Sequence, residues 1–336
     1  MLIERSQVGK REELLDLISR VDAKETPLVQ MIPKEKGFRN MLYSWQADDF
    51  EDDADLSVED GEDASNFDNA SPNRALISTY MAKYRTTAMV SDLAENVSDV
   101  AGLAGGEEAE SIMKKTIQLR RSMEAALCGD QDHRAGAAGV AYQVRGLGSW
   151  ISNSAQALLP VDANYRTVAG CISTESTDDL TTTIIDDLLQ ASYQVTGQRK
   201  NFIGLVGPTL KRQFTTFSTR TVAAASAASQ IRAYNTNFNG AIDNVVDMYN
   251  GDFGIIDLHP TLFNATARFG GSDVVSPLRG YFLIMDLLAL SRKRAPRVKQ
   301  LEDRGGGPRF LVDSIFGMVV KNPKPLIKIA STVAAD

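Results

Sequence analysis

Acid–base work in proteins falls most often to histidine, and this chain offers only His133 and His259. Neither belongs to an HExxH pattern, which would set two ligands on one helix face. His259 stands directly before Pro260 and reads as a turn histidine at a strand end. Cys128 and Cys171 fit no zinc or redox spacing and read as small buried apolar residues, reduced instead of bridged. Asp186 and Asp187 raise the paired-carboxylate chemistry of a hydrolase. Neighbours on a helix point about 100° apart, however, which makes it hard for both to address one substrate atom. Gly146-Leu147-Gly148 has Ile151 where a dinucleotide fingerprint needs its third glycine. Neither a Walker A sequence nor a GxSxG elbow occurs. Asp252-Phe253-Gly254 spells the kinase magnesium word without the companion HRD loop, and it follows Asn250-Gly251, a strong hairpin signal. Gly305-Gly306-Gly307-Pro308 leads into a strand instead of a helix, so it reads as a flexible connection and not a phosphate cradle. No catalytic residue, cofactor site or metal site is expected.

Charge gives a sharper signal. Between Asn40 and Asn73 there is no lysine or arginine, but there are eleven acids: Asp48, Asp49, Glu51, Asp52, Asp53, Asp55, Glu59, Asp60, Glu62, Asp63 and Asp68. The segment carries -11 against -7 for the whole chain, which leaves the remainder at +4. An EF-hand is excluded, because taking Gly61 as the sixth loop position puts Leu56 at the first ligand. A basic cluster, Arg292, Lys293, Arg294, Arg297 and Lys299, allows two active readings. It could touch nucleic-acid phosphates without sequence preference, or receive the acidic segment of a neighbouring copy. An ordinary solvated face is the third reading. No aromatic residue interleaves the cluster, which weakens a base-stacking role. Net negative charge argues against a sequence-reading nucleic-acid protein.

These groups need elements to position them. Composition is that of a globular chain, 43% hydrophobic and 24% charged, so wholesale disorder is not expected. No apolar run approaches the ~20 residues of a membrane span, and the first ten residues lack the apolar core of a signal peptide, so a soluble, cytoplasmically made protein is expected. Leu14, Ile18 and Val21 recur at helical spacing, too short a helix to stand alone. Thr26-Pro27-Leu28-Val29 reads as extended. Met41 to Trp45 and the alternating run Leu76 to Val90 read as a long hairpin with the acidic segment at its tip, an element that needs a partner surface. Gly106 to Leu127 is a long helix with Glu107, Glu108 and Glu110 at its start and a stripe of Ile112, Thr116, Leu119, Met123 and Leu127. Gly129 to Pro160 reads as loops around short strands.

Beyond Thr181 the pattern turns α/β. A helix with a capping-box start at Thr183 and Asp186 carries the stripe Ile184, Leu188, Ala191 and Val195 and closes at Gly197. Phe202 to Val206 is a strand, Pro208 opens another helix, and Tyr281 to Met285 is a further strand. Phe310 to Val320 and Leu326 to Ile329 are closing strands joined across Asn322-Pro323-Lys324-Pro325.

This order of parts resembles the major capsid proteins of tailed bacteriophages, which share the Hong Kong 97-type fold. Thr26-Pro27-Leu28, Trp45-Gln46-Ala47-Asp48, Gly251-Asp252-Phe253-Gly254 and Lys321-Asn322-Pro323 are similar to words of a podovirus-type subgroup. The resemblance implies an α+β fold with an N-arm (residues 1-40), an extended β-hairpin loop (41-88), a peripheral domain with the spine helix (89-178 and 297-336) and an axial domain (179-296). It implies a non-enzymatic subunit that assembles as pentamers and hexamers into an icosahedral head around phage genomic DNA, held by non-specific contact only. A separate scaffolding protein, a portal, no membrane partner and a place in the virion follow from it. Candidate intersubunit contacts are Trp45, Asp48, Asp49, Asp52, Asp53, Arg292, Arg294 and Arg297. An encapsulin-like compartment shell shares the fold and is the alternative, with a carboxylate hydrolase behind it.

Overall fold

The structure, a computed structural model, describes residues 25–37, 39–50, 57, 60–61, 63, 73–96, 106–173, 180–217, 235–237, 241–243, 246–263 and 279–329. The helix expected around Leu14, Ile18 and Val21 lies outside these residues, as do Glu51, Asp52, Asp53, Asp55, Glu59, Glu62 and Asp68 of the acidic segment.

In chain order the helices are α1 (Pro27–Met31), α2 (Asp92–Asn96), α3 (Gly106–Cys128), α4 (Leu147–Trp150), α5 (Thr182–Thr196) and α6 (Pro208–Phe217). The strands are β1 (Lys34–Lys36), β2 (Leu42–Ala47), β3 (Ala75–Tyr80), β4 (Ala82–Met89), β5 (Ile172–Ser173), β6 (Lys200–Val206), β7 (Asn235–Asn237) and β8 (Ala241–Asp243). They continue with β9 (Met248–Asn250), β10 (Gly254–Pro260), β11 (Gly280–Leu283), β12 (Leu288–Leu301), β13 (Arg309–Val320) and β14 (Ile327–Ile329). They form a four-stranded sheet in the order β1-β12-β13-β4, a six-stranded sheet in the order β5-β14-β11-β6-β10-β9, and the pairs β2-β3 and β7-β8.

The chain divides into two compact units. The described residues of the first are Glu25 and those within Tyr84–Arg121 and Pro296–Ser314. Here α3 starts with Gly106 at φ 77°, while the Glu95 carboxylate accepts from the Glu108 amide at 3.1 Å. Pro296 lies where β12 has β13 on one side only, since β1 covers just Leu290 to Arg292, the edge setting in which a sheet tolerates proline. The glycine run after β12 is not a slack connection. The Asp303 carboxylate accepts from the amides of Gly305, Gly306 and Gly307 at 2.9, 3.3 and 3.3 Å, so the turn is wound around an internal anion. Gly307, at φ 107°, also brings its backbone against Val90, where a Cβ would sit 2.2 Å from the carbonyl oxygen.

The second unit, within Thr26–Lys83, Ser122–Ala295 and Ile315–Asp336, holds the larger core. β6 is central, parallel to β10 and antiparallel to β11, and its Phe202, Leu205 and Val206 are buried. α6 seats Phe214 edge-on to Phe282 of β11, with ring centroids 6.2 Å apart. α5 begins two residues earlier than the Thr183 capping box implies. Thr181 is the cap, accepting from the Ile184 amide at 3.4 Å, and Gly197 at φ 63° closes the helix. The buried face is Ile185, Leu188, Leu189 and Ser192, so of the expected stripe Leu188 is buried while Ile184, Ala191 and Val195 are half-buried. Ser192 is tolerated there because its hydroxyl donates to the Pro325 carbonyl at 2.7 Å.

Two further expectations are corrected. The run Leu76 to Val90 is not one strand: it breaks at buried Met81, whose amide donates to the Met41 carbonyl at 2.8 Å, and its halves join different sheets. Thr26 does leave the helical region, at φ -130° and ψ 78°, but Pro27 is the first residue of a helix and not part of an extended stretch.

Candidate assembly surface

The hairpin β2-β3 alternates strictly. Tyr43, Ala47, Ile77 and Thr79 point inward and are buried, while Leu42, Ser44, Gln46 and Leu76 face out. Ser44 and Ser78 stand opposite each other with hydroxyl oxygens 2.7 Å apart. The inner face is anchored by its own chain: the Tyr43 hydroxyl donates to the Met318 carbonyl at 3.1 Å, within a cluster of Met81, Ala289 and Val319. The sequence-level expectation that the whole hairpin lacks a surface in its own subunit is thus corrected for its base.

Trp45 continues this attachment. Its indole N–H donates to the Lys321 carbonyl at 3.2 Å, and its ring lies 5.9 Å from Tyr43 and 5.8 Å from Trp150. Beyond Trp150 comes the Arg145 guanidinium, 4.7 Å from the indole centroid. Arg145 is fully buried. It donates to Asp132 at 2.7 Å and to the carbonyls of Leu158 and Leu159 at 2.8 and 3.1 Å. A second hub lies at half-buried Asp130, which accepts from Arg279 at 2.5 Å, Lys328 at 3.3 Å and the Tyr281 hydroxyl at 3.3 Å. Neither Arg145 nor Asp130 was singled out from the sequence.

The acids at the hairpin end have intrachain partners. Asp48 accepts from Arg74 through both Nε and Nη2, at 3.0 and 2.8 Å, and Asp49 pairs with Lys324 at 2.7 Å. Asp52 and Asp53 lie outside the described residues. Asp49 and Lys324 also line an open cleft of about 340 Å³ that takes in Lys200 and Asp286, an even mixture of signs with no bias toward one ligand charge. The basic candidates lie on β12, a strand the sequence reading missed. Arg292 and Arg294 share one side of it by alternation, both half-buried. Arg297, in the other unit, donates to buried Asp313 at 2.9 Å and so has a structural task of its own.

The chemistry weighed from the sequence disperses. Asp186 accepts from the Tyr249 hydroxyl at 2.8 Å while Asp187 points outward, so the two carboxylates do not converge. Phe253 stacks at 5.5 Å from Tyr193 in the β9-β10 hairpin. Cys128 and Cys171 are free and buried. His259 lies within β10, next to its last residue, opposite Leu205. Among the described residues no cluster of three His, Cys, Asp or Glu could hold a metal, and no helix is long and apolar enough to cross a membrane.

His133 is buried beside Arg145, its ring edge-on to Tyr80 at 5.4 Å. Burial first, then the Arg145 charge, holds its pKa down to about 4 against the opposing pull of Asp132. The unfolded chain takes this proton near 6.5, so stability is full above that pH and falls as pH drops from 6.5 towards 4. We expect the thermal midpoint to fall more steeply between pH 7 and 4.5 in the native chain than in His133→Gln. Parallel slopes would rule out His133 as the group responsible.

Comparisons with known proteins bear on the whole of this arrangement. A family model described as SU10 major capsid protein matches residues 3–333. The capsid asymmetric unit of cyanophage A-1(L) aligns with a TM-score of 0.63 at 11% identity, over 96% of this chain and 96% of that one. The capsid of cyanophage P-SCSP1u gives 0.59 at 11% identity, over 99% and 97%. The capsid of a native GTA particle gives 0.56 at 12% identity, over 96% and 95%. At such identity these likenesses speak for a shared fold. A search of curated protein sequences returns no match.

Proposed function

We propose a function from one established premise: the chain belongs to the SU10 major capsid protein family, and its mixed α+β fold is that of Hong Kong 97-type phage capsid proteins. It is accordingly a structural component of a virion and not an enzyme, and the hydrolase reading of Asp186 and Asp187 falls. The family match over residues 3–333 is the observation that carries the rest. In our reading the subunit self-assembles as pentamers and hexamers into an icosahedral head around double-stranded DNA, which it touches without sequence preference. It assembles with a separate scaffolding protein and a portal, and it belongs to the podovirus-type subgroup. Residues 1-40 act as the N-arm, 41-88 as the extended loop, 89-178 with 297-336 as the peripheral domain, and 179-296 as the axial domain.

The contacts between copies centre on the acidic segment beyond Trp45, including Asp52 and Asp53, and on β12 with Arg292 and Arg294. The charge imbalance supports this reading, since a -11 segment on a remainder of +4 favours opposite surfaces of neighbouring copies. Electron microscopy of the protein co-expressed with its scaffolding protein should show closed shells. Converting the acids from Asp48 to Asp63 to their amides should leave the subunit folded but reduce or misdirect shell formation. Normal yields of correctly sized shells from that variant would refute the contact, and a failure of the unaltered protein to form shells when co-expressed with its scaffolding protein would refute the reading itself.

A further inference from the structure

α3 changes character along its length. Up to Arg121 only Glu110 and Leu119 are buried, whereas every residue from Met123 to Cys128 is. In the middle of that apolar turn sits Glu124, with no exposed surface. Its two carboxylate oxygens accept from the amides of Leu28 and Val29, at 2.8 and 2.7 Å. No ion pair reaches it among the described residues.

Those two amides are the second and third helical positions of α1, the donors that a helix leaves unsatisfied and that an N-cap side chain normally takes. Thr26 occupies the N-cap position and is of a suitable type, yet its side chain makes no capping bond. Pro27 has no amide hydrogen to satisfy. A residue almost a hundred positions away therefore caps α1. The other attachments are the fully buried side chains of Leu28 and Ile32, the Pro33 carbonyl, which accepts from the Leu290 amide at 2.7 Å, and the three exposed residues of β1 beside β12. A helix of five residues does not hold itself in water, so without this cap the segment has little reason to stay helical.

We propose that Pro27–Ile32 is a strap with two settings, docked on α3 while Glu124 caps α1 and released when that cap is lost. A buried carboxyl without a cation is a costly group to keep charged. Burial pushes the Glu124 carboxyl up to about 7, against the lowering effect of the two amides. The other titratable group that feels it is the Cys128 thiol one turn on, which burial keeps protonated. α1 itself has no titratable side chain. The docked form therefore holds a proton that a released, hydrated carboxyl would give up near 4.5. By linkage, docking weakens as pH rises from about 4.5 through 7.

Hydrogen exchange of the full chain, read by mass spectrometry on peptides spanning 26–33 and 200–206, tests this. Glu124→Ala removes both acceptors. Exchange at Leu28 and Val29 should rise roughly 10- to 100-fold, the loss of both cap bonds, with β6 unchanged. In the native chain, protection of these amides, corrected for intrinsic rate, should fall between pH 5 and 8, and this dependence should vanish in the variant. The native pH series needs no substitution and decides the matter even if the variant folds poorly. Unchanged exchange at Leu28 and Val29, an equal rise in β6, or a flat native pH series would each overturn the strap.

Discussion

Replacing Arg145 with alanine is expected to destabilise the folded chain by about 3–5 kcal/mol, the loss that follows when one partner of a buried charge network is removed. The guanidinium binds three separate pieces of backbone and side chain at once. It neutralises Asp132, it holds the successive carbonyls of Leu158 and Leu159, and it covers the face of Trp150. Leu159 is the one described non-glycine residue with a positive φ, 43°, a conformation that needs outside support. Without Arg145 the two carbonyls and the Asp132 carboxylate lose their shared donor, and Trp150 loses the group packed on its far side. The disturbance should reach the hairpin base, because Trp45 stacks on that same indole. Lysine should not rescue the variant, since an ammonium cannot present a planar fork to a carboxylate and two carbonyls together. Denaturant unfolding at a fixed chain concentration reads the effect, fixed because self-association enters the stability of any assembling subunit. A loss below about 1 kcal/mol would mean that the carbonyls find other donors.

Local signals were legible wherever the physics was local. Pro208 opens α6, Gly197 closes α5, Asn250-Gly251 turns the β9-β10 hairpin, and the acids of the first turn start α3. β12 escaped notice because its sequence, charged on both sides and interrupted by Pro296, has no pattern of its own. What makes it a strand is pairing with β13, a partner that only the folded chain supplies. The break at Met81 escaped for the same reason, as the alternation of residue types continues unbroken through it. The charge count of the acidic segment was right, but where its ends lie was not readable. Arg74, one residue past the counted stretch, and Lys324, far along the chain, take up Asp48 and Asp49. Buried charges are the hardest case. Nothing around Arg145 or Arg279 marks them as interior. Glu124 alone left a trace, as a single acid in the apolar stretch Met123 to Cys128.

The Asp130 hub gives the second large effect, and glycine is the means to reach it. A Cβ on Gly148 would lie 1.5 Å from the Asp130 carboxylate oxygen and 2.9 Å from the Tyr281 hydroxyl. A flexible side chain could swing away at little cost, but Asp130 is held by Arg279, Lys328 and Tyr281 together, and Tyr281 is itself buried and donates to the Cys128 carbonyl at 3.1 Å. Lys328 also donates to the Gly148 carbonyl at 2.9 Å, so backbone movement would loosen the same cluster. Gly148→Ala should therefore displace the one acid shown facing two largely buried cations, and burial already pushes the Lys328 pKa down while Asp130 opposes it. The expected loss is about 3–5 kcal/mol. Asp130→Asn removes the same charge without adding an atom and should have a loss of similar size. If the glycine acts through the carboxylate, the two changes together should be much less than additive. Full additivity would show instead that the alanine acts through the backbone around α4, and the hub would then have no part in its effect.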